Sequence, residues 1–192
     1  MFVAISAGLW SVAHSLFITH RWQRWQNEKF PGLEPWSRLI YVLFSTLTLG
    51  LLLFWWRTLP QSVFWSWDGY WQILRGLGML LALGFFGFGA AAYNNRAFLG
   101  LFQVRNHLQG KPREEPGFSR QGILRRVRHP WYSGAILFFI FCLPVTDVNI
   151  VWRTIFLIYT FVGTELEERK LIVEIGRDYE DYRQEVGRYF PK

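Results

Sequence analysis

The sequence predicts an all-α, polytopic integral membrane protein with about five transmembrane helices. Hydrophobic residues make up 51% of the 192 residues. They are concentrated in separate apolar runs, and the stretches between the runs carry most of the Lys and Arg residues. Alternation of apolar runs with basic connections is typical of membrane proteins, because a helix satisfies its own backbone hydrogen bonds in lipid and basic loops set its orientation.

The first three apolar runs each predict a transmembrane helix, at residues 2–18, 39–56 and 72–93. No basic segment precedes the first run and no small-residue cleavage site follows it, which indicates a retained helix and not a signal peptide. The third run is rich in glycine and alanine, which permit close helix contact. Before it, Trp65, Trp67 and Trp71 have the composition of an interfacial aromatic belt.

Two shorter apolar runs follow, at residues 131–145 and 150–163. At about 1.5 Å per residue each gives roughly 22 Å of helix, which is less than the roughly 30 Å hydrocarbon core. We expect a helical hairpin whose helices extend into the flanking polar residues, and a re-entrant hairpin is the alternative.

The charge distribution predicts the orientation of the helices. The formal net charge is +7, and the positive residues lie in blocks between apolar runs, so we assign them to topology and to an anionic ligand and expect no nucleic-acid partner. The third connection, residues 94–128, has as basic residues Arg96, Arg105, Lys111, Arg113, Arg120, Arg125, Arg126 and Arg128. The first connection and the C-terminal segment are also basic, so we expect the N-terminus outside and the C-terminus in the cytoplasm. Arg75 and Arg153, near the outer helix ends, would then extend to the interface.

A polar motif at residues 125–134, RRVRHPWYSG, is the strongest candidate for a site. Pro130 suits the first turn of a new helix, which leaves Arg128 and His129 just outside a helix N-terminus, where free N–H groups and the helix dipole favour an anion. Glu165, Glu167 and Glu168 would lie on the last helix, which we expect to continue to about Ile175 and to stop at Gly176. Their carboxylates could bind hydroxyl groups or a cation.

Each of these residues also has a purely structural interpretation. Glu167 and Glu168 could be part of a solvated helix, and His129 could be a helix cap. His14 and His107 are candidate bases, although a buried structural histidine and a loop histidine are the simpler interpretations. The single cysteine, Cys142, allows no intrachain disulfide, and no residue pattern indicates a metal site.

Four segments in the last third of the chain share the order and spacing of a known family. They are Arg128-His129-Pro130-Trp131-Tyr132-Ser133-Gly134, Glu167-Glu168-Arg169-Lys170-Leu171, Gly176-Arg177-Asp178-Tyr179-Glu180-Asp181-Tyr182 and Val186-Gly187-Arg188-Tyr189-Phe190-Pro191. This order resembles the isoprenylcysteine carboxyl methyltransferase superfamily. Segments near the N-terminus, including Leu99-Gly100-Leu101-Phe102-Gln103, are most similar to the bacterial methanethiol S-methyltransferases and to denitrification-associated membrane proteins. Asn94-Asn95-Arg96-Ala97 departs from the thiol enzymes, which tend to have an acidic residue there.

The resemblance implies an S-adenosylmethionine-dependent methyltransferase with a cofactor pocket at the cytoplasmic face. Within a single domain, residues 1–93 would form three transmembrane helices and residues 94–192 the catalytic core. The implied catalytic residues are Arg128, Glu168 and Arg188. The implied cofactor-binding residues are His107, Leu108, Arg128, His129, Pro130, Tyr132, Glu167 and Glu168.

The resemblance also implies partners and a location. The acceptor would be a lipophilic or thiol compound that reaches the protein from the lipid bilayer, and the expected location is a bacterial inner membrane. Two alternatives stay open: a non-catalytic accessory protein of the denitrification-associated type, and a sterol-reductase-like enzyme, which shares a similar Arg-His-Pro segment. The oligomeric state is not predicted.

Overall fold

The computed structural model describes residues 1–112 and 117–192, so the predicted basic residue Arg113 lies outside the described residues. The described chain is mostly helical. The α-helices are α1 (Phe2–Ile18), α2 (His20–Lys29), α3 (Ser37–Thr58), α4 (Trp71–Ala92), α5 (Asn95–Phe98), α6 (Leu101–Leu108), α7 (Pro130–Phe141), α8 (Asp147–Ile175) and α9 (Arg177–Glu185). Two 3₁₀ turns (Pro31–Trp36 and Gly122–Arg125) and two short strands, β1 (Val63–Trp65) and β2 (Val145–Thr146), complete the structure.

The long helices agree closely with the sequence prediction. Helix α1 has the predicted bounds, and α3 and α4 differ from theirs by one or two residues at each end. Two helical stretches, Pro31–Thr58 and Trp71–Ala92, are long and apolar enough to cross a membrane, and the bent pair of α1 and α2 makes three if it forms one span. A mostly helical protein with two or three helices of membrane-spanning length is therefore observed in the described residues, and the predicted count of about five stays a prediction.

The predicted hairpin is asymmetric. Helix α7 has 12 residues and ends at Phe141, so it is only about 18 Å long. Helix α8 has 29 residues and continues through the glutamates to Ile175, where Gly176 with a φ of +74° ends it. The expected extension into polar residues therefore occurs in the second helix of the hairpin, and Gly176 is the predicted stop.

The chain divides into two compact units, and the first comprises Met1–Pro60 and Asn94–Gly117. In it, α1 and α3 are joined by hydrogen bonds between side chains. Trp10 Nε1 donates to Thr48 Oγ1 at 3.0 Å. His14 is within hydrogen-bond distance of Tyr41 Oη, at 2.7 Å, and of Ser45 Oγ, at 3.1 Å. His14 is thus a bonded residue between two helices, as its structural interpretation predicts.

The second unit comprises Gln61–Tyr93 and Phe118–Lys192, and in it α4 lies antiparallel to α7. Glycines allow the close approach. A Cβ on Gly134 would lie 3.1 Å from the Ala82 carbonyl oxygen, and a Cβ on Gly78 or Gly89 would overlap an aromatic ring of α7. The prediction that small residues of the third apolar run permit close helix contact is confirmed.

Two arginines bind the end of α7 and the turn that follows it, residues 142–146. Arg153 is buried and donates to the backbone carbonyl oxygens of Phe139, Ile140 and Leu143. The half-buried Arg75 donates to the Phe141 oxygen at 3.2 Å and to the Cys142 oxygen at 2.9 Å. The carbonyl groups at the end of α7, which have no partner within the helix, thus bind both guanidinium groups. That the two side chains lie near the membrane interface stays a prediction.

The same turn is fixed by a cap and by strand pairing. Thr146 Oγ1 accepts from Asn149 N, and Asn149 Oδ1 accepts from Thr146 N, which forms a capping box at the start of α8. Strand β2 pairs antiparallel with β1, and Ser62 N donates to Asp147 Oδ1 at 3.0 Å. The start of α8 is therefore held in one register.

Candidate functional site

The candidate site lies in the second unit, where the start of α7 meets the C-terminal segment. Pro130 occupies the first turn of α7 and His129 is its N-cap residue, as the sequence predicts. Arg128 N donates to the Gly187 oxygen at 2.9 Å, and His129 N donates to the Arg188 oxygen at 3.1 Å. These bonds bring the motif at residues 125–134 beside the segment 186–190, which begins 52 residues after the motif ends.

Glu168 is the centre of the site. Its side chain is 1% exposed, and its Oε1 accepts from Arg128 Nε at 2.9 Å and Arg128 Nη2 at 2.8 Å, with His129 Nε2 at 3.1 Å. Its Oε2 accepts from Arg188 Nη2 at 2.6 Å, and Arg183 Nε lies at 3.3 Å. We call Arg128, His129, Glu165, Glu168, Arg183 and Arg188 the charged cluster.

These contacts keep Glu168 ionised. Burial alone would raise the pKa of its carboxyl, but hydrogen bonds from His129, Arg128 and Arg188 outweigh burial and lower the pKa to about 2. Glu168 lies beyond the apolar part of α8, so this carboxylate belongs to the polar end of the helix. Its burial is therefore compensated by paired positive charge.

Arg128 ties the cluster to the C-terminal segment. Besides its two bonds to Glu168, its Nη1 donates to the backbone oxygens of Val186 and of Arg183, the latter at 3.0 Å. Ser133, which is fully buried, donates to the Tyr189 oxygen at 2.6 Å. One guanidinium and one hydroxyl thus fix residues 183–189 against α7.

The edge of the cluster is more exposed. Arg188, with 32% of its side chain exposed, also donates to Glu165 Oε2 at 3.1 Å, and Glu165 accepts from Arg169 at 3.0 Å. Glu167 is exposed, and its carboxylate accepts a hydrogen bond from the half-buried Tyr132. These are the groups of the site that a molecule arriving from solution can reach.

The hydroxyl of Tyr189 is an exception among the buried polar groups of this unit. Its hydroxyl is buried and has no hydrogen-bond partner within residues 1–112 and 117–192. Its ring lies 5.5 Å from that of Phe161, on α8. Buried hydroxyls are nearly always paired, so this one has unused capacity for a hydrogen bond.

Most of the predicted site residues meet in this unit. Arg128, His129 and Arg188 all contact Glu168, Pro130 is buried in the first turn of α7, and Tyr132 and Glu167 form a pair at the edge. His107 and Leu108 lie in the first unit, at the end of α6, where both are exposed. Their role in cofactor binding stays a prediction.

Two residues of the site were not predicted, Arg183 and Tyr189. Arg183 lies on α9, between sequence segments that were recognised, and its charge could have suggested a carboxylate partner. Tyr189 is part of a recognised segment, but no sequence signal separates a tyrosine with a free buried hydroxyl from a packed one.

Comparison with known proteins identifies the family to which the chain belongs. A family model described as NnrU protein matches residues 2–187. The chain belongs to the NnrU family. The resemblance to a superfamily of small membrane methyltransferases and denitrification-associated proteins, predicted from the motifs, is confirmed for this NnrU-family protein.

Curated relatives of the NnrU-family protein include several named methanethiol S-methyltransferases. Methanethiol S-methyltransferase 1 of Bradyrhizobium diazoefficiens is 35% identical over 189 residues, which cover 95% of this chain and 64% of the relative. The enzyme of Mycobacterium tuberculosis is 30% identical, with 96% and 75% covered, and that of Pseudomonas sp. is 29% identical, with 98% and 72% covered. The chain thus spans less than two thirds of the first relative's length. No solved structure matches it significantly.

Proposed function

We propose that this NnrU-family protein is a membrane methyltransferase that uses S-adenosylmethionine to methylate the sulfur of a small thiol, with methanethiol as the first acceptor to test. The observation that carries the proposal is the alignment with a methanethiol S-methyltransferase over 95% of this chain. The charged cluster supports the proposal, because its charged side chains are paired and partly buried at one end of apolar helices.

The proposal includes an arrangement in the membrane. Five helices, α1, α3, α4, α7 and the apolar part of α8, would cross or enter the bilayer of a bacterial inner membrane. The C-terminus and the charged cluster would then lie on the cytoplasmic side, because the connections that carry most of the Lys and Arg residues lie on that side. A soluble donor and a membrane-permeant thiol can meet at such an interface.

The residues at the edge of the site fit the donor. S-adenosylmethionine carries an ammonium group and ribose hydroxyls, and the exposed Glu167 carboxylate can accept hydrogen bonds from them. It also carries a carboxylate, which can accept hydrogen bonds from the remaining N–H groups of Arg188. The buried Tyr189 hydroxyl offers one more hydrogen bond. When bound, the donor would supply an electrophilic methyl group on its sulfonium sulfur.

Arg128 and Glu168 suit a positioning role. Arg128 donates to Glu168 and to backbone oxygens of the C-terminal segment, and Glu168 also accepts from Arg188, so the pair holds that segment and Arg188 in place. Direct roles in donor binding and in catalysis, which the resemblance implies for both, remain to be tested. Holding reactants in a fixed geometry supplies much of the rate in such a transfer.

The charge of the cluster favours the acceptor's reactive form. Three guanidiniums (Arg128, Arg183, Arg188) and two carboxylates (Glu165, Glu168) give 3 − 2 = +1. A net positive site lowers the pKa of a nearby thiol and stabilises the thiolate, which is the nucleophile. No separate general base is required if the thiolate binds directly.

Headspace gas chromatography tests the reaction. Purified protein supplied with methanethiol and S-adenosylmethionine should produce dimethyl sulfide. We expect Glu167→Gln to lower kcat/KM about tenfold through weaker donor binding, since one charge-assisted hydrogen bond is worth about 1.5 kcal/mol. Glu174→Gln, on the same helix seven residues later, is the matched control and should behave like the wild type. Absence of product from folded protein would refute the proposed activity for this acceptor.

A non-catalytic accessory protein is the second candidate. The observation that favours it is the mutual pairing of Arg128 and Glu168, which leaves neither group free for a ligand. Calorimetry with S-adenosylmethionine and S-adenosylhomocysteine separates the two candidates. Micromolar binding that Glu167→Gln weakens supports the methyltransferase, and no binding by folded wild-type protein supports the accessory function.

A further inference from the structure

The second unit has a cleft of about 430 Å³ that belongs to the end away from the charged cluster. Tyr93, just after the last residue of α4, donates to the Arg128 oxygen, whereas the cleft is formed by the first turns of α4 and the loop before them. Helix α4 has 22 residues, about 33 Å, which is close to the thickness of a hydrocarbon core. The cleft therefore lies near the opposite membrane interface.

The walls of the cleft carry both signs of charge. Asp68 comes from the loop, and Gln72, Arg75 and Met79 share one face of α4 by their spacing of three, four and seven residues. Neither Asp68 nor Arg75 has an ion-pair partner in the described part of the chain. An acid and a base line one cleft without neutralising each other, so a ligand that carries both charges would complement it.

The two charged side chains have unused hydrogen-bonding capacity. Arg75 donates two of its five N–H groups to the backbone oxygens of Phe141 and Cys142, which fixes the guanidinium at the cleft. Asp68 accepts one hydrogen bond, from the Ser66 hydroxyl. The remaining guanidinium donors suit a phosphate, and the remaining carboxylate lone pairs suit an ammonium group.

The setting of the cleft indicates a lipid. Trp65 and Trp71 beside it are exposed, with ring centroids 5.6 Å apart, as in an interfacial belt. Trp67, which lines the cleft, is held by a 3.0 Å bond from its indole N–H to the Leu143 oxygen. Met79 lies about 12 Å along α4 from Trp71, so the cleft reaches from headgroup level toward the acyl chains.

We propose that this cleft is a binding site for a phosphoethanolamine headgroup, with the phosphate on Arg75 and the ammonium on Asp68, and that a phospholipid supplies it. The site is separate from the proposed methyl-transfer site. Its ligand is recognised by two opposite charges that line one cleft, and a lipid that carries only a phosphate would bind one of the two.

Native mass spectrometry of detergent-purified protein tests the proposal. Wild-type protein should retain phosphatidylethanolamine about fivefold better than phosphatidylglycerol of the same chains, since the second lipid lacks the ammonium group. Diacylglycerol, which lacks both charges, should not be retained. Asp68→Asn should reduce the preference to near unity, while Asp181→Asn, at an exposed position of α9, should keep it.

The outcomes separate the possibilities. Equal retention of both phospholipids by the wild type, or an unchanged preference in Asp68→Asn, would overturn the proposal. Soluble glycerophosphoethanolamine is added as a competitor, and a lipid site should resist it at millimolar concentration. Full displacement would show instead that the cleft takes the free headgroup compound. Because none of these measurements uses methyl transfer, failure of the proposed enzyme activity would leave the result unaffected.

Discussion

Arginines stabilise both ends of the second unit, but they do so with different partners. In the charged cluster, Arg128 and Arg188 pair with the buried carboxylate of Glu168. At the turn between α7 and α8, Arg75 and Arg153 bind backbone carbonyl oxygens. The first end depends on the ionisation of one acid, and the second depends on no titrating group. The difference shows that a buried arginine is informative about function only once its acceptor is known.

Removing the shared carboxylate should have the largest effect. Glu168→Gln leaves Arg128 and Arg188 without their buried counter-charge, and breaking a buried ion pair costs roughly 3–5 kcal/mol. Thermal unfolding in detergent should show a clearly lowered midpoint relative to the wild type. Glu180→Gln, an exposed acid on α9, is the control. A midpoint unchanged in Glu168→Gln would mean that the cluster contributes nothing to stability.

Acid should weaken the cluster selectively. The folded-state pKa of Glu168 is about 2, below its usual 4.5, so its contribution is fully present above pH 4.5 and is lost as the pH falls through about 2. Unfolding midpoints measured from pH 7 down to pH 2 should fall in that window. In Glu168→Gln this part of the fall should be absent, and in Arg153→Met it should be retained. An identical acid profile in all three proteins would contradict the assignment to Glu168.

A smaller loss is expected at the turn. Arg153→Met removes the donors to the Phe139 and Ile140 oxygens and leaves buried carbonyls unpaired, at about 1–3 kcal/mol. Because no charge pair is broken, the loss should be the same at pH 5 and pH 8. Arg177→Met, at an exposed position of α9, serves as the control in the same unfolding assay. A loss that depends on pH in this range would show that Arg153 has an acidic partner.

The smallest effect should come from an exposed pair. Lys170 and Glu174 are one helical turn apart on α8, with a nitrogen to oxygen distance of 3.5 Å. Lys170→Gln should change the free energy of unfolding by about 0.3–0.5 kcal/mol or less, and added salt should reduce even that. A loss comparable to that of Glu168→Gln would show that position on α8, and not burial, determines the effect.

Much of the fold followed from the sequence because apolar length and helix signals are local. The bounds of α1, the first turn at Pro130 and the stop at Gly176 were all predicted. Helix α2 and helix α6 were not, because their polar composition is also that of a loop. Only packing against neighbouring elements determines whether such a polar segment is a helix or a loop.

The candidate site could be predicted as a set of residues but not as a set of bonds. The order of the motifs brought Arg128, Glu168 and Arg188 into one site. It could not show that these charges pair with each other, since pairing depends on how the C-terminal segment lies beside α7. The same limit explains Arg153, whose acceptors are backbone atoms that carry no sequence signal.

The capping box at Thr146 and Asn149 gives α8 a defined starting point, and the helix is continuous from there to the charged cluster. Glu168 therefore lies a fixed rise, about 28 Å, and a fixed rotation from Asn149. Deleting one residue between them would turn the carboxylate by about 100° and remove it from its arginines. The number of residues between Asn149 and Glu168 therefore determines where the carboxylate lies, whereas the identity of most of these residues does not. Substitutions there should be tolerated far more often than single-residue insertions or deletions.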